Sequence, residues 1–279
     1  MTERDAIRRI ARKAQASNPR LIAGIGDDCA IWRPAAGEDL VFTTDFLLEG
    51  VHFTRPLYSP ADIGHKALAR GLSDIAAMGA SPQFCLLSLA LAPNCDQRWM
   101  DSFYAGLLKL AKKFDTTLAG GDLSHADRVL CDIVVCGSVP RGKALRRDGA
   151  RLGDLIFVSG PLGRDWREYR RPVPRIEFGL SIRAIATSCI DITDGLSLDL
   201  HRLCEASGVG AEVDCVPVRK GATLEQALGA GEDYELLWTM PDGAAAPKGS
   251  IRIGRITRDD GIFLQGQPLE ARGYDHLQQ

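Results

Sequence analysis

The chain has 279 residues, of which 45% are hydrophobic and 25% charged, so it is long enough for two ordinary domains with substantial cores. Its formal net charge of -2 gives no bulk electrostatic reason to expect a nucleic-acid or membrane partner. No apolar run approaches the ~20 residues that span a bilayer, and the charged N-terminus lacks the apolar centre of a signal peptide, so we expect a soluble, cytoplasmic protein.

The first half of the chain alternates strand and helix patterns. An amphipathic helix is predicted over residues 1–15, and a β run over residues 40–44 ends on Asp45. The segment 59–62 combines a capping serine, a proline at the first helical position and an acid in the first turn, which predicts the start of a helix. Further patterns predict a helix from Asp96 and strands at residues 83–92, 116–119 and 129–139. This alternation favours a four-stranded split β-α-β sheet.

The pattern breaks between residues 140 and 150, which divides the chain into a domain over residues 1–140 and a domain over residues 150–279. The second half predicts helices near residues 176–187 and 196–206, and strands at residues 155–159, up to Asp191, and at 211–216, 234–239, 250–256 and 261–264. Strands and helices that mix in this way are typical of an α/β domain.

The eight cysteines contain no C-x-x-C pair, and several lie inside apolar strand patterns such as residues 130–136. They predict small buried thiols rather than a metal site or a disulfide framework.

Residues 137–144 (GSVPRGKA) fit the opening of a P-loop and follow a strand pattern. However, alanine at position 144 replaces the serine or threonine that ligates magnesium in such a loop, and the LRRDG sequence that follows does not open a helix. We therefore expect any nucleotide to be held by other residues.

Five short segments each put aspartate beside glycine, serine or threonine, often where a strand pattern ends. Glycine allows a ligand to approach the backbone closely, and carboxylates are hard oxygen ligands that suit magnesium. Taken singly, each aspartate is explained equally well as a cap or a turn residue. Together they predict a chain that gathers acid around metal-bound phosphates. The segments are residues 26–28, 43–45, 73–74, 120–122 and 191–194.

With their neighbours, these segments resemble the thiamine-monophosphate kinase family. The matches keep their order and cover nearly the whole chain, but residues 161–174 form a shorter segment than family members usually carry there. The matching segments are GIGDDCA at 24–30, TD at 44–45 with EGVHF at 49–53, KAL at 66–68 with LSDIAAMGA at 72–80, GGD at 120–122, DITDGL at 191–196, GEDYEL at 231–236 and GYDH at 273–276.

The resemblance implies an enzyme that transfers the γ-phosphoryl group of ATP to thiamine monophosphate. It also implies an α+β, two-domain fold shared with aminoimidazole ribonucleotide synthetase. In that fold the four-stranded sheet of an N-terminal metal, ATP and dimerisation domain pairs with its counterpart in a homodimer. A C-terminal α/β domain with a mixed sheet completes the nucleotide and substrate site.

Position by position, the resemblance implies several magnesium ions, held by Asp28, Thr43, Thr44, Asp45, Asp74, Asp122, Asp191 and Asp194. It implies contacts to ATP from Gly121, Asp122, Arg147 and Thr193, and contacts to thiamine monophosphate from His52, Glu232 and Tyr274. The catalytic residues that it implies are Asp45, Asp74, Asp122 and Arg147. The residue types agree, because a guanidinium fork suits phosphate oxygens and a tyrosine ring suits a flat heterocycle. For His52, a purely structural role is the alternative.

The phosphate of thiamine monophosphate is already anionic at neutral pH, so it can attack ATP without a strong general base. The main obstacle is the repulsion between two anions, which metal ions and Arg147 would offset. We therefore expect direct transfer without a phosphorylated enzyme.

Two other functions stay open. One is another ATP-using enzyme of the same superfamily. The absence of a cysteine before Cys29 and of one at the C-terminal end disfavours the selenophosphate synthetase and hydrogenase-maturation members, while the surroundings of His52 and Glu232 disfavour aminoimidazole ribonucleotide synthetase. The other is a non-catalytic protein that binds nucleotide or thiamine phosphate, against which the retained set of acids argues.

Overall fold

The computed structural model describes residues 3–14, 18–26, 28–258 and 261–274. Asp27, Asp275 and His276 belong to the segments that carry the resemblance, and they lie outside the described residues. Contacts divide the chain into unit 1, which comprises residues 1–75, 81–142 and 170–172, and unit 2, which comprises residues 76–80, 143–169 and 173–279. Residues 76–80 and 170–172 each group with a different unit from their neighbours in the chain, which a single boundary at residues 140–150 does not describe.

Unit 1 is built on a four-stranded sheet. Its elements in chain order are α1 (Glu3–Ala14), β1 (Leu21–Ala23), β2 (Ile31–Trp32), β3 (Glu38–Leu48), α2 (Pro60–Ala77, whose last two residues belong to unit 2), β4 (Ser81–Leu91), α3 (Gln97–Lys113), β5 (Thr117–His125) and β6 (Leu130–Pro140). The sheet has the strand order β3-β6-β4-β5, in which β4 and β5 are parallel and the other pairs antiparallel. The predicted four-stranded arrangement is confirmed.

Helix α2 begins at the predicted position because Ser59 and Asp62 cap it reciprocally. The backbone N–H and the hydroxyl of Ser59 donate to Asp62 Oδ2 at 3.0 Å and 2.7 Å, and the Asp62 N–H donates back to the Ser59 hydroxyl at 3.2 Å. Helix α3 follows Asp96, whose carboxylate accepts the N–H of Trp99 at 2.8 Å. Local sequence signals therefore determine both starts.

Two glycines let helix α2 approach its neighbours closely. A Cβ atom added to Gly64 would lie 2.0 Å from the carbonyl oxygen of Phe103 in α3. A Cβ atom added to Gly71 would lie 2.5 Å from the side chain of Val135 in β6. Helix α2 therefore packs tightly between α3 and the sheet, and this packing directs its Asp74 towards strand β3.

Unit 2 contains a larger mixed sheet. Its elements are β7 (Leu155–Val158), α4 (Ile176–Ile182), β8 (Ser188–Ile192), α5 (Leu196–Ser207), β9 (Gly210–Val213), α6 (Leu224–Gly229), β10 (Glu235–Met240), β11 (Ile251–Thr257), β12 (Ile262–Leu264) and β13 (Gln267–Pro268). The strand order is β13-β12-β9-β11-β7-β10-β8, and only the β12–β9 pair is parallel among the described strands of this sheet.

Both faces of this sheet are covered. One face carries a continuous apolar core in which Ile190, Leu200 and Ala227 join the strands to α5 and α6. On the other face the rings of Phe157 and Trp238 stack at 4.8 Å, and Phe178 of α4 meets Trp238 edge-on at 6.1 Å. The sequences of the strands in unit 2 are consequently apolar runs rather than alternating patterns.

The predicted strand end at Asp45 is wrong, and a second acidic segment also lies inside a strand. Strand β3 continues three residues past Asp45, and β5 runs through Gly120 and Asp122 to His125. The predicted helix over residues 176–187 ends at Ile182. The short elements β1, β2, β13 and α6 were not anticipated, because two- to six-residue segments carry too little periodicity to be recognised.

All eight cysteines are free thiols, and five of them are buried, as the apolar context predicts. Within the described ranges, we find no helix that combines the length and the apolar character needed to cross a membrane.

Candidate functional site

In unit 1, three predicted metal-binding residues meet where helix α2 packs on the sheet. Thr43 and Asp45 lie two positions apart in β3, so their side chains leave the same face. The Thr43 hydroxyl donates a hydrogen bond to Asp74 of α2. Arg70, one turn earlier in α2, donates to Asp45 Oδ1 at 3.1 Å. The packing of one helix thus brings the carboxylates of Asp45 and Asp74 to the same side of β3.

Thr44 lies on the opposite face of β3. Its hydroxyl donates to Asp132 Oδ1 of β6 at 2.7 Å, so the structure does not bring this side chain to Asp45. Asp132 was not singled out from the sequence, because it stands inside an apolar strand pattern. Its signal was the interruption of that pattern by a charged residue.

Gly121 has a backbone conformation that only glycine accepts. Its φ angle is +150°, and a Cβ atom there would lie 1.9 Å from the carbonyl oxygen of Leu87 in β4. The close approach of β4 and β5 therefore requires glycine at this position whatever ligand it contacts. Asp122 follows as an exposed residue of edge strand β5, opposite Ser88.

The remaining predicted residues of unit 1 are Asp28 and His52. Asp28 is exposed in the bend between β1 and β2. His52 is buried, its Nδ1 accepts the N–H of Leu48 at 3.0 Å, and its carbonyl oxygen accepts from Lys66 Nζ at 2.9 Å. His52 therefore stabilises the turn after β3, which is the structural role left open above. Its contact with substrate stays a prediction.

In unit 2, the turn between β8 and α5 carries Thr193 and Asp194. Asp199 Oδ2 accepts both backbone N–H groups, at 3.0 Å from Thr193 and 3.1 Å from Asp194. Arg202 donates to the carboxylates of both Asp194 and Asp199, to the latter at 2.9 Å. Burial raises the pKa of Asp199 to about 6, and the charge of Asp194 adds to that rise.

From the sequence alone, Asp199 and Arg202 were not predicted to belong to the site. Their signal was an aspartate in the first turn of a predicted helix, directly after an acidic turn, followed three residues later by an arginine.

The same turn holds two predicted substrate-binding residues through backbone hydrogen bonds. The N–H of Glu232 donates to the carbonyl oxygen of Thr193 at 2.7 Å, and the N–H of Tyr274 donates to that of Asp194 at 3.0 Å. These hydrogen bonds bring Glu232 and Tyr274, which lie far apart in the sequence, to the turn of Thr193 and Asp194 within unit 2.

The loop that carries Glu232 is strained. Gly231, Glu232 and Tyr234 have φ angles of +73°, +54° and +53°, and positive φ is uncommon for residues other than glycine. The N–H of Glu232 donates to the carbonyl of Thr193, and that of Tyr234 donates to the carbonyl of Ile192, the last residue of β8; these hydrogen bonds maintain the conformation. Such strain is concentrated at functional loops, which supports a binding role for this segment.

Asp191 and Arg147 differ in exposure. Asp191 is buried in β8, opposite Leu236 of β10. Arg147 is exposed, and its carbonyl oxygen accepts the Ser207 hydroxyl at 2.7 Å. Its guanidinium forms no ion pair with any residue that the structure describes, whereas Arg146 is paired with Asp148 at 2.5 Å.

The short segment over residues 161–174 contains no helix, and the GEDYEL segment holds Gly163 and Arg164 near its start and Arg175 just after its end. Asp233 accepts the N–H groups of Gly163 and Arg164 at 3.0 Å and 2.9 Å. The buried Glu235 accepts from Arg175 Nε at 2.7 Å, with Arg164 at 3.7 Å. Hydrogen bonds and ion pairs thus hold this region against the GEDYEL segment.

Asp233 makes the stability of the protein depend on pH. Burial raises the pKa of its carboxyl from 3.8 to about 6, so the folded state binds more protons than the unfolded state between these values. The free energy of unfolding therefore falls as pH rises from about 4 to about 6, by at most about 3 kcal/mol from this group.

Asp233→Asn keeps an oxygen that accepts both N–H groups but cannot ionise. We expect urea titrations to show that the variant gains stability over the wild type as pH rises through this range. Parallel curves for the two proteins would contradict the assignment.

The oxygen donors fit magnesium, since carboxylates and hydroxyls are the hard ligands that it prefers. Among the residues that the structure describes, no group of three or more His, Cys, Asp or Glu side chains is gathered closely enough to hold a metal ion. Arg70 and Arg202 instead neutralise Asp45 and Asp194. The magnesium sites therefore stay a prediction.

Comparisons with known proteins show which proteins the chain is similar to. Residues 26–139 match the family described as AIR synthase related protein, N-terminal domain. The thiamine-monophosphate kinase of Salmonella typhimurium strain LT2 is 37% identical over 97% of each chain. A crystal structure of thiamine-monophosphate kinase from Stenotrophomonas maltophilia K279a superimposes with a TM-score of 0.85 at 35% identity, covering 96% of this chain and 98% of that one. The structure of AaThiL complexed with AMPPCP and TMP gives 0.82 at 31% identity, covering 99% and 97%.

Proposed function

The chain belongs to the thiamine-monophosphate kinase family, and from this membership we propose that it phosphorylates thiamine monophosphate with ATP. In this reaction the terminal phosphorus of ATP bonds to an oxygen of the acceptor phosphate, and its bond to the bridging oxygen breaks. The products are thiamine diphosphate and ADP.

The likeness to AaThiL, whose structure contains AMPPCP and TMP, carries this proposal. The turn at Thr193 and Asp194 is consistent with it, because its backbone joins the residues expected to contact metal, nucleotide and substrate.

We propose that magnesium ions are held by the eight residues named for this role above. Asp45 and Asp74 are the strongest candidates in unit 1, and Asp191 and Asp194 in unit 2. When bound, the ions would neutralise charge on the phosphate oxygens.

The other side chains would bind and orient the two substrates. The exposed guanidinium of Arg147 would hold phosphate oxygens, together with Gly121, Asp122 and Thr193. Glu232 would accept a hydrogen bond from an amino group of the acceptor, and the ring of Tyr274 would pack on a heterocycle.

Transfer is proposed to be direct and in line, since the acceptor phosphate is itself the nucleophile. The protein then has to hold two anions close together in the correct orientation and screen their repulsion. The cysteine thiols do not serve as nucleophiles in this proposal.

The test is an assay of the purified protein with ATP, magnesium and thiamine monophosphate, in which thiamine diphosphate is separated by chromatography. The proposal predicts one thiamine diphosphate for each ADP formed. Binding of both ligands without turnover would favour a non-catalytic binding protein. Turnover of a formylglycinamidine ribonucleotide instead would favour the purine-synthesis enzyme of the same fold.

We further propose that the protein is a homodimer formed through its four-stranded sheet. Edge strand β3 presents Phe42 and Phe46 on one face with exposures of 62% and 57%, and a long edge strand with large exposed aromatic side chains favours a partner.

In sedimentation velocity, the wild type is expected to sediment as a dimer and Phe42→Glu as a monomer, because a dimer of the variant would have to bury a charge against the partner. Leu152→Glu in unit 2 is the matched control, since Leu152 is 56% exposed, and it should leave the dimer intact. A wild-type protein that sediments as a monomer would refute the dimer.

A further inference from the structure

Asp199 is a buried carboxylate for which the reaction described above has no use. It lies in the first turn of α5, and its side chain is 1% exposed. Taking a carboxylate out of water is costly unless strong hydrogen bonds compensate, so its partners indicate what it is there to hold.

The partners of Asp199 lie in the turn before the helix. Its Oδ2 accepts the N–H groups of Thr193 and Asp194, and its Oδ1 accepts from Arg202. Gly195, the residue that caps α5, provides no side-chain hydrogen bond to the helix. Asp199 thus fixes the turn in the absence of any side-chain cap.

The turn has little freedom to adopt another shape. Gly195 has a φ angle of +121°, and a Cβ atom there would lie 2.8 Å from the Cα of Gly229. The carbonyl groups of Thr193 and Asp194 point the other way, where they accept the N–H groups of Glu232 and Tyr274. Both backbone polar groups of each of these two residues are therefore committed, the N–H groups to Asp199 and the carbonyls to the substrate-binding segments.

Arg202 extends this control to a side chain. It donates both to Asp199 and to Asp194 Oδ2, so one guanidinium joins the buried carboxylate to the one expected to hold metal. A charge-assisted contact of this kind orients the Asp194 side chain as well as its backbone.

We propose that Asp199 is a positioning residue for phosphoryl transfer: it fixes the turn of Thr193 and Asp194, and through this turn the backbones of Glu232 and Tyr274. The assignment rests on the proposed function for the roles of these four residues. Mutation of a residue that holds the ligand-binding residues in place commonly changes metal affinity or activity by about 10–100-fold.

The test compares Asp199→Ala with Asp154→Ala as a matched control. Asp154 is also a buried acid of unit 2, and it accepts the Arg151 N–H at 2.9 Å and the Thr187 hydroxyl at 2.6 Å. Both variants lose a buried carboxylate, but only Asp199→Ala frees the turn.

Hydrogen exchange should show loss of protection at the amides of Thr193 and Asp194 in Asp199→Ala alone. The kcat/KM of that variant should fall by about 10–100-fold, while Asp154→Ala stays near wild type for each folded molecule. If Asp199→Ala does not fold, Asp199→Asn replaces it in the test, because its amide oxygen still accepts the two N–H groups. The kcat/KM of Asp199→Asn should lie between that of the wild type and the value expected for Asp199→Ala.

Protected turn amides in Asp199→Ala, or a kinetic loss in that variant no greater than that of Asp154→Ala, would overturn the positioning role. Absence of turnover in the wild type would overturn the proposed function instead. The role of Asp199 in holding the turn would then stand or fall on amide protection alone.

Discussion

Asp45→Asn and Asp74→Asn are each expected to lower kcat for thiamine diphosphate formation by about 10²–10³-fold or more, with folding intact. Asparagine keeps the shape of aspartate and can still accept a hydrogen bond from Arg70 or Thr43. It cannot supply the negative charge that, in the proposed role, would hold magnesium against the phosphates of two anionic substrates. Steady-state kinetics at saturating magnesium, together with thermal unfolding, measure both effects.

Asp101→Asn is the matched control for this pair. Asp101 is another carboxylate of unit 1 that is paired with cations, Arg9 and Lys13, but it lies on α3 and has no predicted role in the site. This variant should keep wild-type activity. Near-normal rates in Asp45→Asn and Asp74→Asn would refute their metal-binding roles.

Arg147→Ala is expected to lower kcat/KM by about 10²-fold or more, whereas Arg146→Ala should have little effect. The two arginines are adjacent and both exposed, but Arg146 is committed to Asp148. Arg147 has no ion pair among the residues that the structure describes, so its guanidinium is available to phosphate oxygens.

Arg147→Lys separates charge from geometry, because lysine keeps the charge but loses the planar fork. It should recover only part of the activity. Equal losses in the Arg146 and Arg147 variants would indicate a general effect of surface charge and would contradict the assignment.

Elements with local signals could be predicted from the sequence. The starts of α2 and α3 depend on Ser59, Asp62 and Asp96, whose side chains cap their own helices. The four-stranded sheet followed from the alternation of strand and helix patterns. These features needed no knowledge of distant contacts.

The position of Asp45 could not be predicted in the same way. An aspartate after an apolar run looks like a strand end, yet β3 pairs with β6 without interruption from Glu38 to Leu48. Tertiary pairing therefore overrides the low strand propensity of aspartate. The opposite directions of Thr43 and Thr44 follow from this pairing, and only the structure shows which face α2 covers.

The role of Asp199 could not be predicted from the sequence for a related reason. Its spacing suits an ordinary residue in the first turn of a helix, where acids are favoured by the helix dipole. Its importance comes from burial and from hydrogen bonds to a turn that also holds Glu232 and Tyr274. Such convergence depends on the whole of unit 2 and leaves no short motif.

We propose that the carboxylates enable direct phosphoryl transfer from ATP to thiamine monophosphate, with no covalent intermediate on the chain. The most direct measurement supplies the wild-type protein with magnesium, thiamine monophosphate and ATP radiolabelled at its γ-phosphorus, and follows the label through a single turnover. In the wild type we expect the label to pass from ATP to thiamine diphosphate without appearing on the protein, and in Asp45→Asn we expect it to remain in ATP. Label that accumulates on the protein, or that never leaves ATP in the wild type, would contradict direct transfer by this protein.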